Sequence, residues 1–243
     1  MTTSRKTIAA VNVDAWQLLE RAKPDGYSGA LVATLKRLAA QRNISALNVL
    51  SMLATEGLFD TNGRVVVKKS MAAAHSYNRR AAKLGDAGAL TAVADRISAR
   101  GGRTSLKIAT ALYRRAFSKG YITAAFNLAC AYQNRGRYKA SVGWFRKAAD
   151  AGDESALLSL ARAELYGVGV RRNPMSSFKK LKKLARSKAK YWPPNWMQSD
   201  ALMIMASALI EGWFVKRDYR AGIALMRRAA TLGNVSARAQ LSG

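Results

Sequence analysis

The sequence predicts an all-α protein assembled from repeated helix-turn-helix units, on three observations. Gly85, Gly120, Gly152 and Gly233 each end an alanine-containing basic stretch, and each stands four residues before an alanine: Ala89, Ala124, Ala156 and Ala237. The gaps between these glycines are 35, 32 and 81 residues, the last about two units long, and a fixed period in the thirties marks stacked helical pairs. The 243 residues are 49% hydrophobic with only four prolines, a composition suited to close-packed helices and essentially no sheet. A unit of this size cannot bury its apolar face alone, so neighbours must stack.

The elements follow in chain order. The start, "MTTSRKTIAAVNVDAW", has a basic patch, but Asp14 interrupts its apolar part, which argues against a secretory signal. Ser, Thr, Arg and Lys lead and no acid precedes Asp14, so an organellar presequence stays open. Residues 1–44 read as an N-terminal helical cap, flexible at its extreme start, and 45–243 as the repeat region, with units near 45–85, 86–120, 121–152, 153–199 and 200–233. In the first unit "LFDTNGRVVV", between Gly57 and Lys68, reads as an irregular loop.

"KAADAGDESALLSLA", from Lys147, shows the joint between units. Alanines favour helix, Gly152 can take the left-handed conformation that closes one, and Asp153 can cap the next. Asp86 and Asn234 stand in the same place, and Tyr121 is the exception.

The fourth unit carries "NPMSSFKKLKKLARSKAKYWPPNWMQSD". Asn173 reads as an N-cap and Pro174 as the first helical turn. Met175, Phe178, Leu181, Leu184 and Ala185 recur at helical spacing and form the expected core stripe. Lys179, Lys180, Lys182, Lys183 and Arg186 fall outside it, and the two prolines of "YWPPNW" then stop the helix. This unit is about ten residues longer than its neighbours, which marks an insertion at about 186–199. Lys188, Lys190, Tyr191, Trp192 and Trp196 join the basic helix as a candidate partner-binding segment. Either the Trp residues are exposed, or they plug the joint between units four and five.

These residues resemble Sel-one-like repeats, relatives of the tetratricopeptide repeat. Trp144, Phe145, Lys147, Ala148, Ala149, Gly152 and Ala156 match the family's aromatic pair, "KAA", glycine and small residue. Leu165, Tyr166, Gly167, Gly169 and Val170 match its "LY-G-x-GV" element, and Gly212, Val215, Asp218 and Ala221 make a partial copy. The likeness covers about 45–243, weakly before 120. It implies a right-handed α-solenoid of about five repeats behind the N-terminal cap. It also implies a non-enzymatic scaffold or adaptor that holds partners.

The outlying number is charge: 41 Lys plus Arg against 14 Asp plus Glu, a net +27. Self-repulsion at that level opposes compactness, so it points to a polyanionic partner. Basic pairs stand six and five residues before each glycine: Arg79-Arg80, Arg114-Arg115, Arg146-Lys147 and Arg227-Arg228. Stacking would align them as a ladder. A cation near a helix C-terminus is favourable anyway, which accounts for one residue of each pair but not both. The partner is read first as an acidic protein surface, then as nucleic acid or a ribonucleoprotein contacted through its phosphates. A neutralising, immunity-type role toward an acidic protein is a variant, and attachment of the cationic helix to a membrane surface ranks last.

No catalytic constellation is seen. One histidine, His75, and one cysteine, Cys130, cannot build an ordinary zinc site, so neither metal nor cofactor is expected. His75 reads as an ordinary helix residue and Cys130 as a small core residue. "GVGV" at Gly167 lacks the lysine-serine pair of a phosphate loop. A lone cysteine excludes an internal disulfide and, with no membrane span, favours the cytoplasm.

Overall fold

The computed structural model describes residues 14–23, 27–187 and 196–242. It divides into two compact units, Met1–Ala124 and Ala125–Gly243. The first holds α1 (Ala15–Ala22), α2 (Gly29–Ala40), α3 (Ile44–Glu56), α4 (Met71–Lys83), α5 (Ala87–Ala99) and α6 (Arg103–Ser118). From the boundary onward come α7 (Thr123–Gln133), α8 (Tyr138–Asp150), α9 (Glu154–Tyr166), α10 (Pro174–Ala185), α11 (Trp196–Glu211), α12 (Tyr219–Thr231) and α13 (Val235–Ser242). The chain is an all-α helical-repeat protein of the solenoid class.

One backbone device builds the joints. At the end of α8, the Gly152 amide donates to the Ala149 carbonyl, and the Asp153 amide reaches back to Ala148 O at 2.9 Å. This double closure leaves Gly152 at φ +99°, where a Cβ would be strained. The Asp153 carboxylate then accepts from the Ala156 amide at 2.8 Å and opens α9. The same bonds recur after α4, at Gly85 and Asp86, and after α12, at Gly233 and Asn234. After α6 the closure is kept, with Tyr121 N donating to Ala116 O.

The joint also occurs once more, inside the segment read as a cap. Arg42 sits at φ +65°, its amide donates to Ala39 O, and Asn43 N donates to Leu38 O. The buried Asn43 side chain caps Ala46 at 2.7 Å. No glycine marks it.

A second difference lies between α3 and α4. "LFDTNGRVVV" is not irregular: β1 (Leu58–Phe59) pairs antiparallel with β2 (Val65–Val67), Leu58 opposite Val67 and Phe59 opposite Val65. Asp60 organises the turn, its carboxylate accepting from the Asn62 and Arg64 amides at 2.9 and 2.8 Å. Gly63 stands at φ +75°. The hairpin occupies the place of the glycine turns Gly167–Asn173 and Gly212–Asp218 of the second unit. Each turn ends on a capping side chain whose own amide returns to the preceding helix, Ser70 to Ala54 O, Asn173 to Glu164 O and Asp218 to Leu209 O.

In the second unit the core runs through Leu158, Ala161, Leu181, Leu184, Ala201, Leu202, Ala206, Met226 and Ala229. Two glycines allow close approaches. A Cβ on Gly222 would lie 2.5 Å from Ile210 Cγ1, and one on Gly169 would lie 2.4 Å from the Tyr138 carbonyl carbon. Cys130 is half-buried rather than fully in the core. Among the described residues no helix is long and apolar enough to cross a membrane, and no cluster of His, Cys, Asp or Glu could hold a metal.

Candidate partner-binding surfaces

All eight residues of the basic pairs are exposed, and the two members of a pair differ in what they touch. The second member tends to reach back to an earlier helix end. Arg80 Nη2 donates to Ala39 O at 2.8 Å, and Arg228 Nη2 to Ala185 O at 3.4 Å. Arg115 Nη2 lies 3.8 Å from where a Cβ on Gly85 would stand. In each case a cation meets the negative end of a helix dipole. Lys147 departs from this, its Nζ lying 4.3 Å over the Trp144 ring. The first members, Arg79, Arg114, Arg146 and Arg227, form no hydrogen bond or ion pair among the described residues.

The cationic helix α10 divides similarly. Leu181, Leu184 and Ala185 are buried as expected, but Met175 is exposed. The buried stripe starts two positions further in, at Ser177, and Phe178 turns sideways to meet Phe214 edge-on at 6.1 Å. Lys180 is held within the fold: its ammonium bonds Glu164 and Ser176 at 2.8 Å each, and both partners of the ion pair are largely shielded. Lys182 lies over the Phe178 ring at 5.4 Å. Lys179, Lys183 and Arg186 are exposed. Trp196 opens α11 and is exposed, while the neighbouring Met197 is buried and accepts from Ser155 Oγ at 3.4 Å, closing the contact with α9. Lys188, Lys190, Tyr191 and Trp192 lie outside the described residues.

Each unit also holds a hollow that the sequence reading missed. In the second unit α8 and α9 enclose about 270 Å³ between Tyr138, Val142, Phe145, Ser159, Ala163 and Tyr166. In the first, α4 and α5 enclose about 330 Å³ between His75, Asn78, Arg79, Ala92, Arg96 and Arg100. Counted from the joint glycine, Gly85 or Gly152, these are corresponding places. His75 matches Val142, Asn78 matches Phe145, Ala92 matches Ser159 and Arg96 matches Ala163. His75 lies within helix α4, as expected, and also lines this hollow. Burial, Arg96 and Arg79 together hold its imidazole below the usual histidine value. The available signal was the polar "HSYN" where the third unit has the apolar "VGWF".

A family model described as the Sel1 repeat matches residues 56–86, 122–153, 155–192 and 199–234, together more than half of the chain. Among solved structures, one is a protective antigen of uropathogenic Escherichia coli strains displaying an SLR fold. It is 22% identical over 92% of this chain, with a TM-score of 0.72. This chain spans 46% of that protein's length. A Sel1 repeat protein from Oxalobacter formigenes is 21% identical over 93% of this chain and 86% of its own, with a TM-score of 0.67. At these identities the likeness is one of fold. No curated protein matches the chain.

Proposed function

Because the chain belongs to the Sel1 repeat family, we propose that it is a non-enzymatic scaffold whose basic face holds an acidic macromolecule, with an acidic protein surface as the occupant. Repeat scaffolds of this kind fit a protein-interaction role. One observation carries the finer reading. Arg80 and Arg228 bond earlier helix ends and Lys147 covers an aromatic ring, whereas Arg79, Arg114, Arg146 and Arg227 are exposed with no hydrogen bond or ion pair among the described residues. Folding gives no reason for a cation at those four places. Guanidinium groups suit carboxylates, which each can grip bidentately. Exposed Lys179, Lys183, Arg186 and Trp196 extend the same chemistry onto α10 and α11. The cytoplasm remains the proposed location.

The test replaces Arg114, Arg146 and Arg227 together with glutamine. Poly-glutamate and an oligothymidine of matched charge serve as probes, titrated at several salt concentrations. The expected result is tighter binding of poly-glutamate by the native chain, and a loss of at least tenfold in the triple variant with helicity unchanged. Equal binding by both chains overturns the reading. A preference for oligothymidine, with the log–log salt slope falling by about 0.7 per lost contact, identifies nucleic acid as the partner instead.

A further inference from the structure

The hollow of the first unit is built differently from its counterpart. Where the second unit closes its hollow with Val142, Phe145 and Ala163, the first places an imidazole, an amide and a guanidinium at the same repeat positions, and adds Arg79 and Arg100. No carboxylate lines it. Arg79, Arg96 and Arg100 have no ion-pair partner among the described residues. Asp95, the acid next to Arg96, accepts from Tyr113 of α6 at 2.6 Å instead. α3, packed on α4 from the other side, brings no charged residue to the lining.

In the second unit the corresponding hollow holds one guanidinium, Arg162, and that one is paired with Asp200 at 2.8 Å. Arg96 and Arg100 stand in the last turn and at the C-cap of α5, where a cation is favourable, but with Arg79 they gather three exposed like charges around one cavity with no carboxylate in its lining. What the arrangement does supply is an array of directed donors: three planar guanidinium groups, the Asn78 amide and one imidazole N–H. A monoanion would leave most of the positive charge unbalanced. A tetrahedral dianion offers three terminal oxygens and two charges, and about 330 Å³ exceeds what the phosphoryl group alone needs.

We propose that this cavity binds the dianionic phosphate group of a phosphomonoester, gripped by Arg79, Arg96 and Arg100 with His75 and Asn78 as further donors. The group is carried either by a free small ester or by a phosphorylated side chain. The site shares Arg79 with the acidic-partner reading and otherwise stands on its own geometry. A bound dianion also favours the imidazolium form, so binding draws a proton onto His75.

The chain contains a single histidine, so one imidazole signal in a proton NMR spectrum reports on this cavity alone. Phenyl phosphate is titrated into the full chain at constant ionic strength against chloride. The His75 signal is expected to shift saturably, and its midpoint pH to rise by about 1 in the bound form. The double variant Arg96→Gln/Arg100→Gln should weaken binding at least tenfold with unchanged circular dichroism. The triple glutamine variant at Arg114, Arg146 and Arg227 should bind phenyl phosphate like the native chain, even if it fails on poly-glutamate. A phosphoserine peptide that binds at least tenfold more tightly than phenyl phosphate assigns the group to a protein side chain, and equal affinity assigns it to a free ester. A linear, unsaturating response overturns the proposal, as does native-like binding by the double arginine variant. A peptide with glutamate in place of phosphoserine that binds equally well also overturns it.

Discussion

The two hollows occupy the same place in the repeat and differ in charge: the first is lined by three arginines, the second by one, Arg162, which is paired with Asp200. In the second unit Phe145 is 3% exposed and its ring lies 5.6 Å from that of Phe126, so the hollow's floor is part of the core. In the first, Asn78 stands there half-buried, and the neighbouring wall carries Arg96 instead of Ala163. The contrast shows that the repeat accepts either an apolar or a polar residue at this position. In the first unit the core lies elsewhere, through fully buried Tyr113, Leu90, Leu47 and Leu35.

The sharpest way to break this comparison is to delete the floor in each unit. Phe145→Ala should cost about 3–5 kcal/mol, as a large buried aromatic does. Asn78→Ala should stay within about 1 kcal/mol. Urea unfolding with equal midpoint shifts for the two would show that Asn78 is as structural as Phe145.

Next in size are two glycines at matched positions. Gly102 and Gly169 stand at φ +79° and +72°, but a Cβ on Gly102 meets nothing within 4 Å, whereas one on Gly169 strikes the Tyr138 backbone. Gly102→Ala should cost about 1–2 kcal/mol of left-handed strain. Gly169→Ala adds overpacking and should lose about 1–3 kcal/mol more. Melting curves that coincide would mean the second unit yields at Tyr138.

Lys180→Gln should destabilise by about 1–3 kcal/mol, because it leaves the shielded Glu164 carboxylate without its cation. Lys183→Gln, on the exposed side of the same helix, should change stability by less than about 0.5 kcal/mol. Equal effects would place Lys180 in solvent.

The smallest expected effect is a dependence on pH. The imidazole of His75 is held below its ordinary value, so the folded chain binds fewer protons there than the unfolded chain. Its contribution to stability is present above about pH 6.5 and is lost as pH falls through the lowered value. His75→Gln should flatten the stability profile below about pH 6.5. An unchanged profile would remove the imidazole from the cationic cavity.

The joints at Gly85, Gly152 and Gly233 were legible because each uses a glycine at positive φ and an Asp or Asn cap, both local signals, and the one at Gly120 kept the glycine. The joint at Arg42 escaped because an arginine holds the left-handed position, although "RN" before Ile44 carried the cap. The hairpin escaped because the bond pattern around Asp60 turns on a bulged register that spacing does not show. On α10 the lysines were legible as a cluster, but not their division. Which of them meets Glu164 depends on α9, which sits against α10 only after folding. The hollows were invisible for the same reason. Each needs two helices brought together, and the first is recognisable only by comparing His75 and Asn78 with their counterparts one unit away.

The recurring joint has a consequence for how such a chain can change. It is made of backbone bonds, one positive-φ residue and one capping side chain, and none of these lines a hollow. Continuity of the stack and the chemistry of its sockets are therefore written in separate letters. A few substitutions between consecutive joints can turn a greasy socket into a charged one while every splice stays intact. A repeat array of this design can acquire a new ligand without reinventing its architecture.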